Sequence, residues 1–426
     1  MERKAKNLSV VEDKQNGMTQ ESRVYSYRWV VLVAYMIVAA ISQLLWLSFA
    51  TITPIVEDVF AVTELDVGLL SMVWPLLFIF LSIPTGMLID KKGFNLTVTI
   101  GAILMALFAV LRIPAGDDFT LLLVFQAGAA LGQPFVLNSV SKLATLWFPL
   151  KERALATGLG TMGLFLGMII ALALTPFLVP EGAALAELTM MLVTYAVIAL
   201  VGAFLFVLLA REKPPTPPEV SEVEEIPTFS LRGMGKILKT KNFLILESLF
   251  LIGIGLFVGL ITWLEKILEP RGIGMEQAGI IGGLIIVGGI IGSIVIPAIS
   301  DKIMRRKPFA IINLAVAAPM LFLLAETTDF TFLAVAGFVL GFFLMSALPI
   351  GLEMSAELSG SVMAGSASSF LWLLGEVGSV AFILGMESIK SMTGGWHDSV
   401  IVLLILEIVA LALCFLLTET GRKPAT

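Results

Sequence analysis

The chain has 426 residues, of which 58% are hydrophobic and only 14% are charged, and its mean hydropathy is +0.98. This is more apolar surface than a soluble core of that length could bury, so the composition predicts an integral membrane protein. A formal net charge of −6 argues against a nucleic-acid partner, because proteins that bind nucleic acids carry a basic surface.

Apolar runs long enough to cross about 30 Å of hydrocarbon recur along the chain. The first 27 residues are polar and of mixed charge, so no cleavable signal peptide is expected. Six runs follow near 29–52, 67–89, 94–113, 119–147, 154–179 and 187–210. Six more lie near 242–268, 276–299, 308–325, 330–352, 361–388 and 398–418. The predicted fold is an all-α membrane protein with twelve transmembrane helices.

The pattern of six runs, a polar break and six more runs predicts two pseudo-symmetric six-helix bundles. The predicted organisation is an N-terminal tail over 1–27, a bundle over 28–210, a linker over 211–241, a second bundle over 242–420 and a tail over 421–426. The linker contains Pro214-Pro215-Thr216-Pro217-Pro218 followed by several glutamates, a composition typical of a stiff, solvated spacer that buries nothing. A motif for a proline-binding partner is the alternative.

The lysines and arginines predict the orientation. Placing both termini in the cytoplasm leaves only four of the 27 basic residues on the outer side, namely Arg112, Lys266, Arg271 and Lys390. Because positive charge collects in cytoplasmic loops, this topology is strongly favoured. The predicted outer loops are short and acidic, which leaves no room for a folded outer domain.

Motifs for metal, nucleotide or enzymatic chemistry are missing from the sequence. Cys414 is the single cysteine and His397 the single histidine, which excludes an intrachain disulfide and a zinc cluster. No Gly-x-x-x-x-Gly-Lys-Ser/Thr loop is present, so an ATP-driven motor within the chain is excluded. With no paired carboxylates and no nucleophile beside a base, we expect neither an enzyme nor a cofactor.

A short basic loop recurs at the same place in each half. Gly86-Met87-Leu88-Ile89-Asp90-Lys91-Lys92-Gly93 ends the second run. In the second half, Pro297-Ala298-Ile299-Ser300-Asp301-Lys302, then Arg305, Arg306 and Lys307, follow a long glycine-rich apolar run. The two aspartates lie 211 residues apart, about half of the 426-residue chain. This element resembles the loop signature of the major facilitator superfamily. The resemblance implies a secondary transporter with a substrate site near the midplane of the bilayer, lined by spans one, four, seven and ten.

Several stretches also resemble the feline-leukaemia-virus-receptor-like carriers, a family associated with choline, ethanolamine and haem. They are Trp46-Leu-Ser-Phe-Ala-Thr-Ile-Thr-Pro54, Val67-Gly-Leu-Leu-Ser-Met-Val-Trp74, Gly132-Gln-Pro-Phe-Val-Leu-Asn138, Ala144-Thr-Leu-Trp-Phe148, Thr175-Pro-Phe-Leu-Val-Pro180 and Leu348-Pro-Ile-Gly-Leu-Glu-Met-Ser-Ala-Glu357. The chain departs from that family at two positions. It has Val258 where those carriers have tyrosine, and Glu376 where they have glutamine.

Polar and aromatic residues deep within the predicted spans are the candidates for substrate binding. Glu376 lies near the middle of its span, where an ionised side chain costs roughly 2.5–3.5 kcal/mol and therefore indicates function. A protonated Glu376 that hydrogen-bonds between helices is the alternative. By resemblance, Trp46 would form an aromatic wall that holds a quaternary ammonium by cation–π attraction. The full candidate set is Trp46, Gln133, Asn138, Phe257 and Glu376.

Three other glutamates near or within the spans are assigned simpler roles. Glu407 is expected to make a helix-packing hydrogen bond in a peripheral span, and Glu265 is expected, with Lys266, to lie at the membrane interface. Glu247 lies close enough to the end of its span to reach the interface as well.

The recurring loops are predicted to hold a cytoplasmic gate. In the resembling superfamily such an aspartate meets the start of a helix in the other half, whose positive end favours the carboxylate. For Asp90 that start would lie near 360–365, with Lys142 as a further partner, and for Asp301 it would lie near 152–154. The predicted gating residues are Gly86, Asp90, Lys91, Gly93, Lys142, Asp301, Lys302, Glu353 and Glu357.

The predicted function is that of a secondary active or facilitative transporter that moves a small organic solute by alternating access, with a choline-like cation as the favoured substrate. The alternatives are an exporter of haem or of another amphipathic metabolite or drug, and a non-transporting receptor or sensor with the same fold. The predicted partners are a small-molecule substrate, a coupled proton or cation and the lipid bilayer, without nucleic acid. The protein is expected to be a monomer in the plasma or cytoplasmic membrane.

Overall fold

The structure is a computed structural model that describes residues 8–12, 19–218, 240–359 and 364–420. Most of the linker, 219–239, and the predicted helix start at 360–363 lie outside these residues, as do 1–7, 13–18 and the tail 421–426. A short antiparallel pair of strands, β1 (Leu8–Glu12) and β2 (Thr19–Arg23), lies in the predicted N-terminal tail. This pair was not predicted from the sequence.

Helices make up nearly all of the remaining described chain. The first half contains α1 (Arg28–Trp46), α2 (Thr53–Phe60), α3 (Glu64–Lys92), α4 (Phe94–Leu111), α5 (Phe119–Ala130), α6 (Gln133–Leu137), α7 (Val140–Trp147), α8 (Leu150–Leu178) and α9 (Leu185–Leu209). The second half contains α10 (Lys241–Leu268), α11 (Met275–Ile303), α12 (Lys307–Glu326), α13 (Phe330–Ser359), α14 (Ala364–Thr393) and α15 (Trp396–Phe415). Among the described residues, twelve helical segments are long and apolar enough to cross a membrane, which confirms the predicted fold class.

Two spans differ from their predicted form. The first helix ends at Trp46 rather than near 52, because the chain turns before a short helix that carries Pro54 in its first turn. The fourth span is divided into α5, α6 and α7, with breaks around Gly132 and Ser139. At the first break the chain passes so close to α4 that a Cβ at Gly132 would meet the carbonyl oxygen of Gly101.

The described chain divides into two compact units. The first unit contains Met1–Trp46, Phe80–Gly167 and Thr189–Ile226. Within it α8 lies directly on α1, since a Cβ at Gly163 would meet the backbone of Met36 and one at Gly167 would meet the backbone of Ala40. Small residues allow this close approach of helix backbones, which is a main source of helix association in lipid.

The beginning of the predicted linker is packed against the first unit, so the expectation that it buries nothing was wrong. Pro214 is buried, and the carboxylate of Glu212 accepts hydrogen bonds from the backbone N–H groups of Phe94 at 3.2 Å and Asn95 at 2.8 Å. These N–H groups have no partner within their own helix at the start of α4, so Glu212 caps that helix. The indole of Trp147 donates to the Arg211 carbonyl oxygen at 3.0 Å.

The second unit contains Leu47–Ile79, Met168–Leu188 and Pro227–Thr426. Segments 47–79 and 168–188 of the first half therefore pack together with the helices of the second half. Within this unit α10 and α14 approach closely, since a Cβ at Gly378 would meet the carbonyl oxygen of Leu251 and one at Gly255 would meet the backbone of Gly378. The division into bundles over 28–210 and 242–420 remains a prediction.

Candidate functional site

Trp46 ends α1 in the first unit and is only 5% exposed. Because the helix stops there, the chain leaves its regular backbone hydrogen bonding immediately beyond the indole. The position of the Trp46 side chain is therefore set by the end of the helix as well as by packing.

Gln133 and Asn138 lie at the two breaks of the fourth span, also in the first unit. Gln133 is the first residue of α6 and is 6% exposed, whereas Asn138 follows the end of α6 and is half-buried. The Asn138 amide donates to the carbonyl oxygen of Ser82 at 3.1 Å and to Thr85 Oγ1 at 2.9 Å. Its amide nitrogen thus holds the fourth span to α3.

Phe257 and Glu376 belong to the second unit, on α10 and α14, and both are half-buried. Glu376 follows Gly375, where α14 lies so close to α10 that an added Cβ would meet the Ile254 side chain. In the part of the chain that the structure describes, Glu376 forms no ion pair. A carboxylate within a spanning helix is costly to keep ionised without a basic partner.

The predicted gate residues of the first loop lie near one another in the first unit. Lys142 Nζ lies 3.9 Å from Asp90 Oδ1, the partner that the sequence suggested, although the Asp90 side chain is 71% exposed. Gly93 has a φ of +89°, a backbone conformation that favours glycine, and a Cβ there would overlap the Glu212 carboxylate. Gly86 has open space around its Cα, and Lys91 is exposed.

The second loop is organised by Arg306, whose importance the sequence did not reveal. The Arg306 side chain is 6% exposed and forms an ion pair with Asp301. It lies 3.2 Å from Glu357 and 3.7 Å from Glu353, both on α13. Three predicted gate residues thus share one guanidinium, whereas Lys302 is exposed. A glutamate at the chain's end, Glu419, accepts from the Arg306 backbone N–H at 2.7 Å.

Besides the two loops, the structure shows a third set of charged residues, which lies in the second unit and was not predicted from the sequence. This set lies at the end of α3 that carries Glu64, whereas Asp90 lies near the other end of that helix. We call the Glu64 end the far end. Lys266 Nζ lies 2.5 Å from Glu57 and 3.1 Å from Glu269, with Glu64 at 3.9 Å. Lys390 Nζ lies 2.6 Å from Glu64. Burial raises the pKa of the Glu57 carboxyl, although the Lys266 ammonium opposes this effect.

Glu265 and Lys266, which the sequence predicts to lie at the membrane interface, are almost completely buried within the protein, at 2% and 6% exposure. The neighbouring Trp263 is fixed as well. Its indole N–H donates to the Ile383 carbonyl oxygen at 3.1 Å, and its ring lies 4.7 Å from that of Trp396 between centroids.

The other two basic residues that were predicted to lie outside have defined partners as well. Arg112 is fully buried and donates to Gln126 Oε1 at 2.8 Å, whose amide in turn donates to the Leu45 carbonyl oxygen at 3.1 Å. Arg271 donates to the carbonyl oxygens of Leu324 and Thr327. All four exceptions to the charge rule are therefore engaged in specific contacts.

Glu407 differs from its expected role in helix packing. It is fully buried on α15, and neither of its carboxyl oxygens has a hydrogen-bond partner among the described residues. Among those residues, no group of three or more histidine, cysteine, aspartate or glutamate side chains could hold a metal ion.

Comparison with known proteins supports the resemblance to the carriers. Solute carrier family 49 member A3 of Xenopus tropicalis is 28% identical over 384 residues, covering 87% of this chain and 79% of that protein. Choline/ethanolamine transporter flvcr2b of Danio rerio is 27% identical over 393 residues, covering 88% and 81%. Choline/ethanolamine transporter FLVCR1 of Felis catus is 26% identical over 381 residues, covering 85% and 68%. The predicted similarity to the feline-leukaemia-virus-receptor-like carriers is confirmed.

A solved structure and a family model agree on the fold. The crystal structure of a bacterial homologue of the human lysosomal transporter Spinster, inward-facing and unoccupied, aligns with a TM-score of 0.74 at 17% identity. The alignment covers 94% of this chain and 99% of that one. The model of the Major Facilitator Superfamily matches residues 31–383. This chain belongs to the Major Facilitator Superfamily.

Proposed function

We propose that the protein is a secondary transporter that moves a small organic cation across the membrane by alternating access. The observation that carries the proposal is Glu376, an ionisable side chain within a spanning helix that has no ion-pair partner in the described chain. Such residues mark substrate or ion pathways in membrane proteins. An approaching cation offsets the cost of keeping the carboxylate ionised.

The chemical class of the substrate follows from charge and from the relatives. Two of the relatives are named as choline/ethanolamine transporters, and choline and protonated ethanolamine are small cations. By the resemblance, the Trp46 indole would hold such a cation by cation–π attraction, an interaction worth up to about 2 kcal/mol when desolvated. Haem fits less well, because its propionates are negative and Glu376 would repel them.

Uptake of labelled choline and ethanolamine into proteoliposomes tests this proposal, with protein-free vesicles as the blank. Uptake is expected to saturate and to weaken as the pH falls, because a proton and the cation compete for Glu376. Glu376→Gln is expected to retain the fold and to flatten this pH profile. Trp46→Ala is expected to weaken binding at every pH, by up to about 30-fold.

Glu387→Gln provides the matched control, since Glu387 lies on the same helix and its carboxylate accepts from the Ser391 hydroxyl at 3.4 Å. This variant should keep the affinity and pH profile of the native protein. If Glu376→Gln also kept both, the carboxylate would be structural and a neutral or anionic substrate would be sought. Absence of saturable uptake of any organic cation would reject the transport proposal.

We further propose that both termini and the 211–241 linker face the cytoplasm, because only four of the 27 basic residues would then lie outside. A cysteine placed at Glu222 in a Cys414→Ser background should react with a membrane-impermeant maleimide only after the cells are opened. Labelling from the outside of intact cells would reverse the orientation. On the same orientation, the Asp90–Lys142 pair and the Arg306 cluster are proposed to hold the cytoplasmic gate.

A further inference from the structure

The far-end cluster consists of Glu57, Glu64, Glu265, Lys266, Glu269 and Lys390, all within the second unit. If every member were ionised, four negative charges would face two positive ones. Lys266 is already shared by Glu57, Glu64 and Glu269, and Lys390 is bound to Glu64. Among the described residues, neither ammonium group forms an ion pair with Glu265, although the charge of Lys266 acts on it electrostatically.

Glu265 is the member that this arrangement leaves unsatisfied. It is 2% exposed, and its Oε2 atom is buried with no hydrogen-bond partner among the described residues. The charges of Lys266, Glu269, Glu57 and Glu64 all act on the carboxyl group electrostatically, and that of Lys266 is the largest. Three of those four charges are negative. A buried carboxylate in this position is unfavourable unless something neutralises it.

We propose that Glu265 is a proton-binding site and that its protonation is required for the far end to close. This rests on the proposed function, because it assumes that the far end opens and closes during transport. A metal ion is a poorer occupant, since no group of acidic side chains in the described residues is suited to hold one. A proton removes one negative charge without adding volume to a packed site.

Each opening of the far end then releases one proton from Glu265, and each closing binds one. When the far end opens, water reaches the carboxyl group, the O–H bond breaks and the proton passes to water on that side. When it closes, the Glu265 carboxylate takes one proton back from the same side. The ratio of closed to open protein is therefore expected to fall by up to about tenfold for each unit of increasing pH, over the range in which open Glu265 is ionised.

The state of the far end can be measured without any substrate. Asp58 and Met392 are exposed residues of the second unit, one in the segment from the first half and one at the end of α14. Spin labels on Asp58→Cys and Met392→Cys in a Cys414→Ser background report the distance between them in full-length protein in lipid nanodiscs. We expect the short distance of the closed far end to be replaced by a longer one as the pH rises, because closed protein retains the proton that open protein releases.

Glu265→Gln mimics the protonated side chain, so its distance distribution should stay short throughout the titration. Glu276→Gln is the matched control, because Glu276 is an exposed acid in the first turn of α11, and it should titrate as the native protein does. Glu57→Gln tests the assignment within the cluster. A distribution independent of pH in the native protein, or a response abolished by Glu57→Gln but not by Glu265→Gln, would overturn the proposal.

This experiment fails independently of the transport proposal. A protein that takes up choline but shows no movement of the far end with pH would retain the proposed function and lose the proton site. A pH-dependent movement without uptake of any organic cation would support the proton site and reject the substrate.

Discussion

Replacing Gly68 with alanine is expected to shift the far end towards its open form and to reduce transport by about fivefold or more. Gly68 lies in the second turn of α3, and a Cβ there would overlap the six-membered ring of Trp263. That ring cannot easily move away, because it is 1% exposed, hydrogen-bonded to Ile383 and packed on Trp396. Overpacking of this kind costs about 1–3 kcal/mol, which changes the closed-to-open ratio by about 5-fold to 150-fold.

The spin-label pair at Asp58 and Met392 measures this shift directly, and uptake into proteoliposomes measures its consequence. The long distance should dominate in Gly68→Ala at a pH where the native protein shows the short one. Gly253→Ala is the control, since Gly253 lies on the same helix as Trp263 and a Cβ there would meet nothing within 4 Å. Native distances and native uptake in Gly68→Ala would mean that the far end does not need this contact to close.

The fold could be predicted from the sequence because each membrane span is a local property of the chain. About 20 apolar residues are needed to cross the bilayer, and that length can be counted without knowing any partner. The places where the prediction differed are also local in origin. Pro54 lies in the first turn of α2 and Pro134 in the first turn of α6, where a proline is tolerated, so a closer reading of proline within the runs could have indicated that new helices begin there.

The candidate site was only partly predictable, because ion pairs join residues that are distant in sequence. Glu376 was found from its depth within a span alone. Lys266, by contrast, looked interfacial because it lies in the last turn of its helix, and its partner Glu57 is 209 residues earlier in the chain. The sequence offered only an indirect indication of this ion-pair cluster. Lys266 and Lys390 are two of only four basic residues that the predicted orientation places on the outer side.

Arg306, in the second loop, shows the same limit. Arg305 and Arg306 are adjacent and chemically identical, yet Arg305 is exposed and Arg306 is buried. Which of them faces the carboxylates depends on how the chain turns after α11. Met304 has a φ of +58°, and the Ser300 hydroxyl donates to the Arg305 carbonyl oxygen at 2.6 Å, which together aim the next side chain inward. Neither contact has a signature in the sequence.

Replacing Arg306 with glutamine should therefore have a large effect, whereas replacing Arg305 should have almost none. Removing the guanidinium leaves Asp301, Glu353 and Glu357 without their shared cation, and the Glu357 side chain is only 17% exposed. Breaking a buried ion pair costs about 3–5 kcal/mol. Because Asp301 and Glu353 are more than half exposed and screened by water, we expect a loss of about 2 kcal/mol.

Thermal unfolding of the purified variants in detergent at low and high salt measures this loss. Arg306→Gln should unfold several degrees below the native protein, and Arg306→Lys should fall between them, because an ammonium keeps the charge but not the forked geometry. Arg305→Gln, one residue away and exposed, should unfold within about a degree of the native protein. Equal unfolding temperatures for the Arg305 and Arg306 variants would show that the shared guanidinium does not hold the second loop against α13. The gating role proposed for Asp301, Glu353 and Glu357 would then lose its structural basis.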